Sequence, residues 1–325
     1  MKKYKVLCAL FLVITLLAGC SRYSSQPATI TDTVFDTVIS IQIYDKDSDE
    51  VLNTCVQMCR DYEKLFSRTL EGSDIYRINH AEGKAVEVSD ETIKLLNLAL
   101  KYCDLSEGAF DITLGGVSDL WKFTENPEKA PKESNINKEL QYTGYKKIRI
   151  DGNVVQLANS KMQIDLGAIA KGYVADRLKE YLKNEGIRHA LINLGGNVLG
   201  VGGKPGQNKF NIGIQKPFDE TGAAIASVKV EDESVVTSGI YQRYFKVGDK
   251  LYHHILDPDT GYPCESSLLS VTIVAESSAQ ADALSTLCFT MGYKGGMRFI
   301  NNMENVEALF ITDDYELHYS NGFPK

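Results

Sequence analysis

Basic charge, tryptophan and long apolar runs are scarce in this chain. Lys and Arg number 35 against 43 Asp and Glu over 325 residues, a formal net charge of −8. No basic run interrupts that balance. A general nucleic-acid binder needs one to displace counterions from the phosphate backbone, so nucleic acid is excluded as a partner. One Trp and seven Cys suit neither a disulfide scaffold nor a zinc ribbon. Hydrophobic residues at 43% and charged residues at 24% are ordinary for a soluble globular protein, which excludes collagen, coiled coil and bulk disorder. The length suits one large domain or two interlocked lobes. There are no internal repeats and no clean linker after residue 31.

What is present begins at the N-terminus. Lys2, Lys3 and Lys5 precede an apolar stretch from Val6 to Leu17, too short to span a bilayer core that takes about 20 helical residues. Leu17-Ala18-Gly19-Cys20 follows. Small residues before a Cys resemble a bacterial lipobox, so residues 1–19 are expected as a lipoprotein signal peptide. Cys20 is then the lipidated residue, residues 20–31 a polar tether, and 32–325 the folded domain, held at the extracytoplasmic face of the membrane. An ordinary cleavage site or a plain anchor is the alternative. The remaining cysteines, Cys55, Cys59, Cys103, Cys264 and Cys288, are odd in number and read as buried thiols.

The rest of the chain reads as α+β, with largely antiparallel sheets and packed helices. Ile39, Ile41 and Ile43 alternate as a strand. Leu52, Cys55, Cys59, Tyr62 and Phe66 recur at helical spacing, predicting a helix over 48–67. Ser89 caps a second helix reaching Leu105. The stretch 123–138 is polar with two prolines, a surface excursion. Asp151-Gly152 suits a tight hairpin turn within 148–155. A strand is expected at 162–166, a helix at 167–184, a strand at 190–194, and a last helix at 279–291 closed by Gly292.

Four clusters could carry chemistry. Gly195-Gly196-Asn197 with Gly200, Gly202 and Gly203 fails both the dinucleotide and the Walker patterns because Pro205 stands where each needs another residue. It reads as a strand pair where another backbone or a ligand comes close. Asp165 and Lys171 flank an expected helix start, where exposed amides favour an anion; an N-cap Asp and a solvated Lys are the alternative. His254 sits at a strand end beside an Asp-Pro-x-Thr-Gly turn and is a candidate general base titrating near neutrality; a structural His is the alternative. Asp282 and Thr286 share a helix face and offer hard oxygen ligands for Mg²⁺ or Ca²⁺; a solvent-facing Asp and a plain helical Thr are the alternative.

Six segments together resemble the FAD:protein FMN transferases, the ApbE-like family. They are Gly108-Ala-Phe-Asp111-Ile-Thr, Asp165-Leu-Gly-Ala-Ile-Ala-Lys171-Gly-Tyr173, Asn193-Leu-Gly-Gly-Asn197, Thr237-Ser-Gly-x-Tyr-x-Arg243, His254-Ile-x-Asp-Pro-x-Thr-Gly261 and Ala281-Asp-Ala-Leu-Ser-Thr286. The likeness spans about residues 31–323. It implies a T-fold-like α+β architecture, FAD as substrate, Mg²⁺ and an extracytoplasmic lipoprotein. By the family pattern Asp165 and Lys171 contact FAD, and Ala109, Phe110 and Asp111 line the flavin site with Phe35 and Leu256. Asp282, Thr286 and the backbone carbonyl near Ala168 hold Mg²⁺, and His254 assists the transfer. Two departures stand out: Phe35-Asp36-Thr37 replaces Met-Gly-Thr, and Ser285 supplies no carboxylate for a second metal.

The implied reaction moves FMN from FAD to a Thr or Ser hydroxyl of a target protein and releases AMP. No family-type acceptor segment occurs in this chain, so the acceptor is another protein, expected among membrane redox-complex subunits. An FAD pyrophosphatase and a non-enzymatic solute-binding lipoprotein are the competing readings.

Overall fold

The computed structural model describes residues 23–46, 48–125 and 127–324. The chain runs through β1 (Tyr23–Val34), β2 (Thr37–Asp45), α1 (Asp49–Phe66), α2 (Asp74–Asn79), β3 (Val86–Glu87), α3 (Asp90–Leu105), α4 (Gly115–Trp121), α5 (Glu133–Leu140), β4 (Ile148–Asp151), β5 (Val154–Leu157) and α6 (Ala170–Asn184). It continues through β6 (Ala190–Leu194), β7 (Asn197–Val201), β8 (Phe210–Gln215), β9 (Ala224–Val230), β10 (Ser234–Gly239), β11 (Tyr244–Val247), β12 (Lys250–His253), β13 (Leu268–Ala275), α7 (Ser278–Thr290), α8 (Gly292–Ile300), β14 (Val306–Thr312) and β15 (Leu317–Tyr319).

Eight strands form one antiparallel sheet in the order β1-β2-β6-β7-β10-β13-β14-β15. Alternation decides its two faces. Ile39, Ile41, Ile43, Ile192, Leu194, Leu199 and Val236 point into the main core beneath the helices. Tyr44, Val198, Val235, Leu269 and Val274 point the other way, where the β8–β9 hairpin covers them with Phe210, Ile212, Val228 and Val230. β13 is buried along its whole length, as a central strand covered on both faces must be. A third cluster gathers Trp121, Val117, Ile136, Phe245 and Leu256, with Trp121 Nε1 donating to Gly261 O at 2.8 Å.

The α+β class is as expected, and several local readings change. Tyr23–Thr31, expected as tether, is the first part of β1, where Ala28 and Ile30 pair with Ile43 and Ile41. Cys20 and the signal peptide lie outside the described residues. The excursion 123–138 contains the start of α5, because Ile136 is anchored in the aromatic cluster. Residues 162–166 do not form a strand; they are extended and hold only a single bridge, Gln163 to Leu114. Asp151 pairs with Val154, so the turn is Gly152-Asn153, one residue later than read, with Gly152 at φ +54°. Gly292 does end α7, but α8 starts at once. All five cysteines are buried and unpaired. No helix of the described residues is long and apolar enough to cross a membrane.

Candidate functional site

The site forms where α6 and α7 meet over the end of β10. Gly172 makes the approach possible: a Cβ there would lie 2.2 Å from Ser278 O. Ile169, at the N-cap of α6, offers no capping side chain. The cap comes instead from α7, where Asp282 Oδ2 accepts the Gly172 N–H at 2.9 Å. Lys171 Nζ lies 3.8 Å from the same oxygen and donates to Gly167 O at 2.7 Å. Asp282 is 4% exposed, so it is no solvent-facing helix residue. Its Oδ1 accepts no hydrogen bond among the described residues. One turn further, the Thr286 and Ser285 hydroxyls stand 3.1 and 2.7 Å from Ser238 Oγ.

Asp165 approaches this group from the loop before α6. Its Oδ1 accepts the Gly167 N–H at 2.8 Å, an Asx-type turn. Its Oδ2 lies 3.7 Å from Arg68 Nη1. Arg68 also binds Asp119 at 2.7 Å, Gln163 Oε1 at 3.0 Å and Gly115 O at 3.1 Å. Sequence reasoning missed Arg68 and Ser238. A lone Arg after a helix has no local signature, whereas Ser238 lies inside the Thr237-Ser-Gly-x-Tyr-x-Arg243 segment, whose spacing alone gives it no role.

The Asp111 segment reaches the site through its backbone, since Ile112 O accepts the Asp165 N–H at 2.8 Å. Asp111 itself turns inward: Oδ1 accepts the Thr113 N–H and hydroxyl at 2.8 and 2.6 Å, and Oδ2 the Tyr145 N–H at 3.1 Å. Burial pushes its carboxyl above the usual range despite those donors. Phe110 is buried in the main core and Ala109 is half-buried.

His254 follows β12 directly. Its N–H donates to Arg243 O at 3.1 Å, and its Nδ1 lies 3.2 Å from the same oxygen. Burial, and then the Arg243 charge, push its imidazole down to about 3, against the pull of that hydrogen bond; the charges of His253 and Lys171 add smaller downward pushes. It is therefore neutral at pH 7, and it titrates well below the near-neutral range expected from the sequence. The neighbouring His253 faces the interior, with Nε2 3.2 Å from Cys264 O and its ring edge-on to Phe289.

Thus Asp165, Lys171, Asp282 and Thr286 form one connected group, with His254 within the electrostatic reach of Lys171. Ala168 lies half-buried in the turn that leads into α6. Phe35 and Leu256 come from two further segments and share none of the hydrogen bonds or ion pairs of this group among the described residues. Phe35 occupies the β1–β2 turn at φ +57°, with its N–H on Glu63 Oε1 at 2.6 Å. Leu256 is packed in the aromatic cluster. The glycines after Asn197 serve close backbone approach: a Cβ at Gly202 or Gly203 would fall 2.1 Å from Arg188 O or 1.7 Å from Asn208 O.

No three His, Cys, Asp or Glu side chains converge on one point among the described residues. The open Asp282 Oδ1 and the Thr286 hydroxyl are hard oxygen donors with a single negative charge between them. That donor set fits a Mg²⁺ ion whose other ligands are water and substrate oxygens, the usual way this ion is held. The lysine, the helix start and the open carboxylate together suit a polyanion that brings a cation with it.

Comparison with known proteins gives the family. The sequence profile of the ApbE family matches residues 35–310. An FAD:protein FMN transferase of Klebsiella pneumoniae is 35% identical over 86% of this chain and 87% of its own length. One of Treponema pallidum is 33% identical over 89% and 85%. Among solved structures, the ApbE protein of Thermotoga maritima superposes with a TM-score of 0.85 at 33% identity, covering 92% of this chain and all of that one. The flavin transferase ApbE of Vibrio cholerae gives 0.82 at 26% identity, over 92% and 98%.

Proposed function

The chain belongs to the ApbE family and is an FAD:protein FMN transferase, and we propose that the α6–α7 junction is where it transfers FMN to a Thr or Ser hydroxyl. The observation that carries this is the buried Asp282, capped onto α6 through one oxygen and open at the other, beside Lys171. Lys171 and the start of α6 bind the diphosphate of FAD. Asp282 Oδ1, Thr286 and the backbone near Ala168 would hold Mg²⁺. That ion supplies neutralisation of the diphosphate and polarisation of the phosphorus.

His254, neutral at pH 7, takes the proton of the acceptor hydroxyl. The hydroxyl oxygen forms a bond to the FMN-side phosphorus while the bond from that phosphorus to the AMP oxygen breaks. AMP leaves with the electron pair, and FMN remains on a phosphoester. Family membership as a transferase sets aside the non-enzymatic solute-binding reading.

Exported location and lipid anchoring at Cys20 belong to this proposal too, supported by the Lys-rich start, the short apolar stretch and the small residues before Cys20. The acceptor would then be an exported part of a membrane redox complex. Cys20→Ser should move the protein from the detergent to the aqueous phase; unchanged partitioning would remove the anchor.

The test of the reaction incubates the purified chain with FAD, Mg²⁺ and a Thr-containing acceptor protein. AMP and FMN-modified acceptor should appear in equal amounts. AMP with free FMN, and an unmodified acceptor, would make the protein a pyrophosphatase instead.

A further inference from the structure

Asn197 opens β7 and is 3% exposed. Its Nδ2 is buried without an acceptor, and neither amide atom makes a hydrogen bond among the described residues. A buried amide left unpaired destabilises the fold, and an apolar side chain would suit a strand whose next inward residues are Leu199 and Val201.

Register places this amide. Leu194 and Asn197 face one another across the Gly195-Gly196 turn, so their side chains share a face of the sheet. Leu194 lies in the helix-side core, while Val198 lies in the opposite one. Asn197 therefore points toward the helices. β10 pairs Ser234 with Leu199 and Val235 with Val198. Continuing that antiparallel register brings Asn197 beside Val236. On the same strand, Ser234 Oγ meets Ser278 Oγ at the start of α7, and Ser238 Oγ meets Ser285 and Thr286. Val236 lies midway between Ser234 and Ser238, and Asp282 lies midway between Ser278 and Thr286. Asn197 is thus on the floor of the site at the level of Asp282.

We infer that Asn197 is a further binding residue of this site, its Nδ2–H donating to a nonbridging oxygen of the FAD diphosphate. The inference rests on the transferase reading above. Lys171 supplies charge without direction, and the α6 start has already given its Gly172 N–H to Asp282. A neutral amide adds a directional donor without the desolvation cost of a second buried cation. It stays unpaired until an anion arrives, so it lowers the stability of the empty protein and strengthens binding.

Two measurements on Asn197→Leu test this: urea unfolding of the empty protein, and FAD titration followed by flavin fluorescence. Asn197→Leu should be as stable as the parent or more so, yet bind FAD about tenfold or more weakly, the size of a lost charge-assisted hydrogen bond. Asn197→Ala keeps the comparison open if Leu overfills the space. Asn197→Asp should bind FAD more weakly still in EDTA, because a carboxylate then faces the diphosphate, and should recover in part with Mg²⁺. Parent-like FAD affinity in the Leu and Ala variants would overturn the inference. So would a loss of stability with affinity unchanged, which would make the amide a scaffold group. A parent that does not bind FAD at all would sink the transferase reading and this inference together.

Discussion

Two aspartates cap each other's helices at the centre of this protein, and they differ in one respect. Asp176, on α6, spends both oxygens on the start of α7: Oδ1 takes the Ser278 N–H at 2.7 Å, and Oδ2 takes the Ser277 hydroxyl at 2.8 Å and the Ala279 N–H at 3.0 Å. Asp282, on α7, returns the favour to α6 with Oδ2 alone. The residue types, the helix ends and the packing are alike. What separates a scaffold carboxylate from a site carboxylate is the oxygen left over. The adjacent histidines repeat the contrast. His253 engages both ring nitrogens, with Cys264 O and the Ile255 N–H, whereas His254 uses Nδ1 only.

The largest effect should come from the open oxygen. Asp282→Ala should lower AMP release from FAD about a thousandfold or more in the presence of Mg²⁺, since it removes the only carboxylate of the proposed cation site. Asp176→Ala, assayed below its unfolding midpoint, should keep most activity. Equal activity losses in the two variants would break the contrast.

Stability should rank the pair the other way. Asp176→Ala strands three donors and should cost about 2–4 kcal/mol in urea unfolding. Asp282→Ala strands one N–H and should cost about 1–2 kcal/mol. A larger cost at Asp282 would mean that its cap matters more than its chemistry.

The histidines sharpen the same point at smaller scale. His254→Ala should slow transfer about a hundredfold, the low end of a general base's contribution, with FAD affinity nearly kept. His253→Ala should leave the rate of the folded enzyme close to the parent's. Because burial holds His254 far below its ordinary range, kcat/KM should be flat between pH 6 and 8 and fall only on the acid side. A limb near neutrality would place the proton elsewhere.

Much of this was legible locally. Ser89 predicts the start of α3, and its hydroxyl does accept the Thr92 N–H. The i, i+4 spacing of Asp282 and Thr286 predicts a shared helix face, and both lie beside β10. What sequence could not supply were contacts between distant segments. The caps exchanged by α6 and α7 join residues more than a hundred positions apart. The polar look of 123–138 hid the fact that Ile136, with Leu140 just beyond it, pins a helix. Residues 23–31 looked like a tether because an edge strand needs few apolar residues: half its surface faces solvent. The Gly195-Gly196-Asn197 cluster reads in sequence as a strand pair that another backbone or a ligand approaches, and only register shows which face Asn197 serves.

The smallest expected effect is on the pH dependence of folding. His253 is held down to about 4 and His254 to about 3, both mainly by burial, against about 6.5 in an unfolded chain. Between those values the unfolded chain takes up protons that the folded protein refuses. Stability is therefore complete above about pH 6.5 and falls as the pH drops toward 4. Asp111 and Asp176 work in the opposite sense. Burial raises both, so their contribution is present at low pH and lost as the pH rises through their raised values. They offset the histidines only at the acid end. The loss attributable to His253 between pH 7 and 5 should be about 1–2 kcal/mol, read as a falling urea midpoint. His253→Gln, which cannot be protonated, should remove about half of the slope the two histidines give together, His254 keeping its own share, while leaving the activity of the folded enzyme in place. An unchanged slope would mean that this ring is not held neutral by its burial, and that the engaged histidine is no more a scaffold group than its open neighbour.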